Sequence, residues 1–162
     1  MYLSKYLSPI GDIFILSDDS ALIGLYFSYP KYDKVKIKEN KIIKNVKHWL
    51  DEYFKGANPD PNKIDTHLQG TKFQILVWNE LKNIPYGHTS TYGEIARNVA
   101  KKMGKSHMSA QAVGNAISRN PISIIVPCHR VIGSKGDLIG YAGGMEKKEW
   151  LLKHEMETKI DL

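Results

Sequence analysis

The stretch "GANPDPNKIDTHLQG" (56–70) constrains the fold more than any other part of the chain. It holds two prolines and two glycines among few apolar residues. Proline removes a backbone donor and glycine adds backbone freedom, so neither a long helix nor a central strand runs through it. The apolar period changes across this stretch. Before it, "YLSKYLS", "GDIFILS" and "ALIGLYFS" are short β-rich runs separated by Pro9-Ile10-Gly11 and Asp18-Asp19-Ser20. A helix follows in "KIIKNVKHWLDEYFKG". There Ile42, Ile43, Val46, Trp49, Leu50, Tyr53 and Phe54 share helical spacing, and Gly56 stands where a C-terminal cap belongs.

Beyond it the chain reads as helices. Thr71 with Gln74 and Thr91 with Glu94 have capping-box spacing, opening "KFQILVWNELKNI" and "YGEIARNVAKKM", which stop at Pro85 and Gly104. "SHMSAQAVGNAISRNP" predicts a helix from about Ser109 to Arg119, ended by Asn120-Pro121. Two helices joined by a short glycine-containing turn make a helix-turn-helix. "ISIIV" (122–126) reads as a buried strand and "GMEKKEWLLKHE" as a last helix. The expected class is α+β: an N-terminal unit over 1–66 with a small sheet and a helix, and a mainly helical C-terminal unit over 67–162.

Charge narrows the partners. Residues 1–66 carry 10 Lys/Arg against 9 Asp/Glu, and residues 67–162 carry 13 against 8. Within 92–135 seven basic residues (Arg97, Lys101, Lys102, Lys105, Arg119, Arg130, Lys135) face one acid, Glu94. Such a concentration suits either a solvated basic face or a polyanionic partner. The second helix of the pair presents few long side chains for base edges in a major groove, and its small residues suit close packing or a minor groove. No window approaches eighteen apolar residues, so no membrane span is expected. One cysteine excludes an internal disulfide and the usual thiolate zinc site. The expectation is a soluble, monomeric protein of the cytoplasm with no metal.

That cysteine, Cys128, lies in "ISIIVPCHRVIG" with His129 directly after it. A free thiol near pKa 8.5 is only a few per cent thiolate at pH 7, so a nucleophilic cysteine needs a base or a positive field. His129 and Arg130 are adjacent, and Glu155 in "KHE" is a candidate acid to orient the histidine. In an extended segment Cys128 and His129 point to opposite faces, so direct contact needs a turn or a water. A buried filler and a nucleophile both remain open on these residues alone. The other histidines (His48, His67, His88, His107, His154) show no metal spacing, and Trp49, Trp78 and Trp150 lie on core faces of helices.

"PCHRV" after an apolar run, with "AVGNA" and "RNP" before it and "GYAGG" and "KEWLLKHE" after, resembles the O6-alkylguanine-DNA alkyltransferases. The resemblance covers residues 70 to 155. It implies a ribonuclease H-like N-terminal unit and a winged helix-turn-helix-like C-terminal unit. It also implies an activity without cofactor on double-stranded DNA containing alkylated guanine, bound through the minor groove with the nucleotide flipped out. Cys128 would then take the alkyl group from guanine O6 once and irreversibly; the sequence leaves open whether O4-alkylthymine is a second substrate. His129 would activate the thiol through a water and Glu155 would polarise His129. Asn120 would brace the turn before the cysteine. Tyr92 would assist rotation and hydrogen-bond the leaving guanine. Tyr141 would line the alkyl pocket, with Val131, Ala142 and Gly143 beside the base. Ser109, Ala110, Gln111, Ala112, Gly114 and Asn115 would face the groove, and Arg119 and Ser134 would contact phosphates.

The chain departs from that pattern at three places. Gln111 stands where many members carry an arginine finger, Ala142 where some have serine, and Val126 where isoleucine is commoner. Glutamine can fill a gap in the base stack without charge or guanidinium stacking. Two rival readings are a damage-binding module without chemistry, which the presence of Cys128 opposes, and a thiol hydrolase. Adjacent Cys and His fit the hydrolase poorly, since such enzymes bring the histidine from elsewhere in the chain.

Overall fold

The computed structural model describes residues 1–160. The three β-rich runs form an antiparallel meander, β1 (Tyr2–Ser8), β2 (Gly11–Ser17) and β3 (Leu22–Tyr26), in register from Tyr2↔Ser17 to Ser8↔Gly11 across the first pair. A short β4 (Lys36–Ile37), which no sequence signal announced, pairs in parallel with the start of β1, so the sheet order is β3-β2-β1-β4. Helix α1 (Lys41–Phe54) covers one face of the sheet with Ile43, Val46, Leu50 and Tyr53. Asn40 caps its start by accepting from the Ile43 amide at 2.9 Å. Gly56 ends it at φ +92°, with 6→1 and 5→2 bonds from Ala57 to Glu52 and from Gly56 to Tyr53.

The glycine- and proline-rich stretch is tied down rather than slack. Asp60 caps a 3-10 turn over Pro61–Lys63, and residues 65–67 bracket Leu22 on β3 with two 2.8 Å backbone bonds. Helix α2 (Lys72–Leu81) opens with a complete Thr71–Gln74 capping box. Helix α3 (Tyr92–Lys102) has half of one: Thr91 accepts from the Glu94 amide, but the Glu94 carboxylate takes the Ser90 hydroxyl at 2.8 Å instead. Helix α4 (Ala110–Ser118) completes the helix-turn-helix, and Trp78 on α2 donates to the Ala116 carbonyl at 2.8 Å. A two-stranded parallel pair, β5 (Ser90–Thr91) and β6 (Val131–Ile132), and the terminal helix α5 (Met145–Thr158) finish the fold.

The expected strand over 122–126 does not form. Only Ile122 makes a bridge, parallel to Leu25, with Leu25 N–H donating to Pro121 O at 2.9 Å and Ser123 N–H donating to Leu25 O at 3.1 Å. The chain then coils through turns, and Ile124 adopts φ +70°. Asn120 is the cause: its Oδ1 accepts from Ile122 N–H at 3.0 Å and its Nδ2 donates to Val126 O at 2.9 Å, closing the segment into a loop. A β-branched residue in the left-handed region costs on the order of 1–3 kcal/mol. Burial of Ile122, Ile124, Ile125 and Val126 in the main core offsets it. That core is contiguous from Ile13 on β2 through Tyr53 to Cys128 and Leu151.

Replacing Asn120 with alanine strands the buried Ile122 amide, while the Val126 carbonyl loses one of two donors and keeps the Cys128 amide at 2.8 Å. The expected loss is about 1–3 kcal/mol of unfolding free energy, measured by urea denaturation; a loss under about 0.5 kcal/mol contradicts this account of the loop.

Candidate active site

Cys128 opens a 3-10 turn over Cys128–Arg130 rather than ending a strand. The turn corrects the expectation of opposed side chains, because Cys128 and His129 do not lie in extended backbone. Cys128, His129 and Glu155 are all buried, His129 and Glu155 essentially completely. His129 Nε2 lies 2.6 Å from Glu155 Oε2. The same carboxylate accepts from Arg130 Nε at 2.7 Å, Arg130 Nη2 at 3.2 Å, the Tyr53 hydroxyl at 2.6 Å and the Gly87 amide at 3.1 Å.

Charge states follow from these partners. Burial alone raises the Glu155 pKa, but His129 and Arg130 overcome it and hold the carboxyl well below the usual range. Burial lowers the His129 pKa more than Glu155 raises it, with Arg130 and Lys148 adding to the lowering. A neutral imidazole beside an ionised carboxylate carries its proton on Nε2, which leaves Nδ1 as an acceptor. Nδ1 is buried and makes no hydrogen bond with any described residue. Burial likewise raises the Cys128 thiol pKa; the Asn120 amide, Lys148 and the amides of residues 128 and 129 pull the other way without reversing it. The resting site is a protonated thiol next to an imidazole that can accept a proton.

Two residues outside the expected site set organise the surroundings. Arg130, read above as one of the basic residues and as a charge adjacent to Cys128, is buried, binds Glu155, donates to Ile84 O at 2.7 Å and lies over the Tyr86 ring at 5.7 Å. Lys148 is completely buried, and its ammonium donates to Val131 O and Ile139 O at 2.7 Å each and to Gly140 O at 3.5 Å. A lysine in "EKKEWLL" reads as a helix-surface residue, and only its three carbonyl partners reveal the role.

The segment 139–144 roofs the site. Tyr141 stands edge-on to His129 at 6.5 Å and packs on Phe27, after β3, at 5.7 Å. Its hydroxyl is buried and closes no hydrogen bond, and burial, then Cys128, push its pKa well up. The Ser123 hydroxyl is near enough to oppose that shift but not to bond. Gly143 has no room for a side chain, since a Cβ would stand 2.6 Å from the Phe27 ring. Tyr92, first residue of α3, donates its hydroxyl to Ile139 O at 3.2 Å. Val131 is buried with its carbonyl on Lys148, whereas Ala142 is exposed.

A cleft of about 660 Å³ opens between this segment and α4, lined by Tyr92, Gln111, Gly114, Asn115, Tyr141 and Ala142 among others. On α4, Val113, Ala116 and Ile117 face the core, Ala110, Gln111 and Asn115 are exposed, and Ala112 and Gly114 are half-buried. Ser109 caps the helix through the Ala112 amide at 3.3 Å. A Cβ on Gly114 would meet the Tyr92 ring at 3.7 Å, an ordinary contact, so packing within the protein does not demand glycine there. Arg97, Lys101, Lys105 and His107 line a second cleft of about 590 Å³ that shares Ala110 with the first. Arg119 and Ser134 are exposed, Ser134 on a turn that Gly133 N–H closes to Asp137 O at 2.8 Å.

The family model described as "6-O-methylguanine DNA methyltransferase, ribonuclease-like domain" matches residues 1–66, and that described as "6-O-methylguanine DNA methyltransferase, DNA binding domain" matches residues 72–157. A methylated-DNA–protein-cysteine methyltransferase of Methanosarcina acetivorans is 43% identical over 162 residues, covering 96% of this chain and 98% of that protein. One from Mycobacterium leprae is 43% identical, covering 96% and 94%. The solved structure of Mycobacterium tuberculosis OGT in complex with DNA superposes with a TM-score of 0.86 at 36% identity, covering 98% of this chain and 94% of that one.

The raised thiol pKa has a direct consequence in the free protein. The rate of Cys128 alkylation by iodoacetamide should stay low at pH 7 and still be climbing above pH 9, because the thiolate forms later than in an ordinary cysteine. A plateau reached by pH 7 would contradict a protonated resting thiol.

Proposed function

The chain belongs to the 6-O-methylguanine DNA methyltransferase family, and from that membership and the site's geometry we propose that Cys128 is the acceptor in direct repair of O6-alkylguanine. The activity is that of a methylated-DNA–protein-cysteine methyltransferase acting on duplex DNA. The observation that carries the assignment of roles is the His129–Glu155 bond, which leaves Nδ1 as a buried acceptor on the residue that follows the chain's single cysteine in the same 3-10 turn.

The step balances as a displacement. The Cys128 thiol gives its proton through a water to His129 Nδ1, and Glu155 stabilises the imidazolium. The sulfur attacks the alkyl carbon, a C–S bond forms, the C–O6 bond breaks, and its electron pair passes into the guanine ring. Guanine takes up one proton and leaves neutral, with Tyr92 as hydrogen-bond partner once its hydroxyl leaves Ile139 O. The product thioether has no good leaving group and the chain has no second cysteine to resolve it, so each molecule reacts once.

Binding needs the nucleotide out of the stack, because the alkylated oxygen is otherwise out of reach. The cleft lined by Tyr92, Tyr141 and Ala142 is the proposed receptacle for the base, with Tyr141 against the alkyl group; Val131 and Gly143, outside that lining, would meet the base once it is inserted. The cap Ser109 and the exposed or half-buried small residues of α4 (Ala110, Ala112, Gly114, Asn115) suit a minor groove. Gln111 would fill the space left by the base, and Arg119 and Ser134 would hold phosphates. Glycine at 114 then serves the partner, since the protein itself has room for alanine. No helix among the described residues is long and apolar enough to cross a membrane. A DNA substrate and a free thiol both fit a cytoplasmic site of action.

Intact-mass measurement after mixing with duplex DNA carrying one O6-methylguanine should show one added methyl, on Cys128, saturating at one per protein, and none in Cys128→Ser. Unmodified protein that still binds the DNA would make this a damage sensor. Gln111→Arg should tighten duplex binding about 3–30-fold if residue 111 enters the stack beside phosphates, on the scale of one charge-assisted contact; unchanged affinity and rate would remove Gln111 from the flipping step.

A further inference from the structure

Of the donors on the Glu155 carboxylate, one comes from the sheet-covering helix α1. Tyr53 is buried and donates its hydroxyl to Oε2 at 2.6 Å, the same oxygen that takes His129 Nε2 at 2.6 Å. Its ring is fixed from several sides: stacked on Trp49 at 5.6 Å, edge-on to Phe54 and Tyr86, and tilted against His154 at 5.3 Å. Nothing in the family resemblance or in the chemistry above assigns this residue a part.

We propose that Tyr53 is a positioning residue for the transfer reaction, whose hydroxyl sets how strongly Glu155 draws on His129 and so sets the proton affinity of the base. The proposal rests on Cys128, His129 and Glu155 acting as described. Donors on one carboxylate oxygen compete for its electron density, so each weakens the others' bonds; Oε2 takes a third, longer one from Arg130 Nη2 at 3.2 Å, and the Tyr53 hydroxyl at 2.6 Å is the closer competitor of the imidazole. With the Tyr53 hydroxyl in place, Oε2 is a poorer acceptor for the imidazole, and the neutral form of His129, which must receive the thiol proton, is favoured. Burial and Glu155 keep the phenol protonated, so it acts as a constant donor.

The other groups facing the carboxylate come from every side. Those acting on it are His129 and Arg130 on the 3-10 turn, the Gly87 amide and Tyr86 from the connection before β5, and Tyr141 on the roof, while Lys148 on α5 acts on His129 and Cys128. None of the tyrosines among them except Tyr53 donates to Glu155; the Tyr86 hydroxyl is paired with Thr158 Oγ1 at 2.6 Å. Tyr86→Phe therefore deletes a comparable buried hydroxyl from the same aromatic cluster without touching the carboxylate. That makes it a matched control for a purely structural effect.

The test measures single-turnover methyl transfer from O6-methylguanine duplex by full-length protein between pH 5 and 9. It compares wild type, Tyr53→Phe and Tyr86→Phe, and follows the His129 imidazole by nitrogen-15 NMR in a Cys128→Ser background. Tyr53→Phe should move both the acid limb of the rate profile and the His129 midpoint upward by about 0.5–1 pH unit, the scale of one lost hydrogen bond. Tyr86→Phe should lower the Tm and move neither. Site-specific 3-fluorotyrosine at position 53, a stronger donor with the ring retained, should shift both downward, and it serves if Tyr53→Phe does not fold. Profiles and midpoints that superimpose on wild type, or a shift equal in the Tyr86→Phe control, overturn the proposal. Wild-type protein that takes no methyl overturns the reading of the site instead, and the His129 midpoint still decides the role of Tyr53.

Discussion

A carboxylate taken out of water costs several kcal/mol unless its lone pairs are filled, and breaking such a buried set costs about 3–5 kcal/mol. Glu155 meets that condition only because four separate segments converge on it. The 3-10 turn brings His129 and Arg130, the connection before β5 brings Gly87, α1 brings Tyr53, and α5 supplies the carboxylate. None of these segments can shift without stranding a charge. The carboxylate thus ties the first and last helices of the chain to the turn that carries the thiol, and it fixes the imidazole tautomer in the same act.

The approach to the thiol is built on the same economy of donors and acceptors. The open edge of β3 gives Leu22 to residues 65–67 and Leu25 to Pro121 and Ser123, so this edge of the four-stranded sheet is paired without a fifth strand. Asn120 then substitutes for backbone partners and folds four apolar residues into the core. The result is a thiol in apolar surroundings, which stays protonated and unreactive until a substrate is presented to it. For a residue that can react only once, low background reactivity protects the protein from being consumed by other electrophiles.

How much of this could be read beforehand divides along physical lines. The meander, α1 and the helix-turn-helix carry local signals, namely apolar period, Thr71 and Thr91 caps, and the Gly56 and Gly104 stops, and these signals act over a few residues. Cys128, His129 and Glu155 were legible as a set because nucleophile, base and acid have chemical requirements that few residue types meet. The segment 122–126 misled because a run of β-branched residues has the same pattern in a buried loop as in a buried strand. The deciding contact, Asn120 to Val126, is a side-chain bond with no periodic signature. Lys148 and Tyr53 were invisible for a related reason, and Arg130 was legible only as a charge near Cys128, not as a ligand of Glu155. Each looks like an ordinary cation or core aromatic, and its role comes from partners 8 to 102 positions away in sequence.

Arg130 and Lys148 also change what the positive charge of the C-terminal part means. Arg130 is held by Glu155 and Lys148 by three carbonyls, and Lys102 is paired with Glu80. Little of their charge is left to face a polyanion. The cations that remain outward around α4 are Arg97, Lys101 and Lys105 in one cleft and Arg119 and Lys135 beyond it. Helix α4 itself carries none: from Ala110 to Ser118 it has no charged side chain. On the mode of binding proposed above, long-range attraction comes from the flanks, while the surface proposed to approach the base pairs is small and neutral. Such a helix gains little from sequence-specific contacts and loses little when the sequence changes. That is what a protein needs if it must find one altered base wherever it lies.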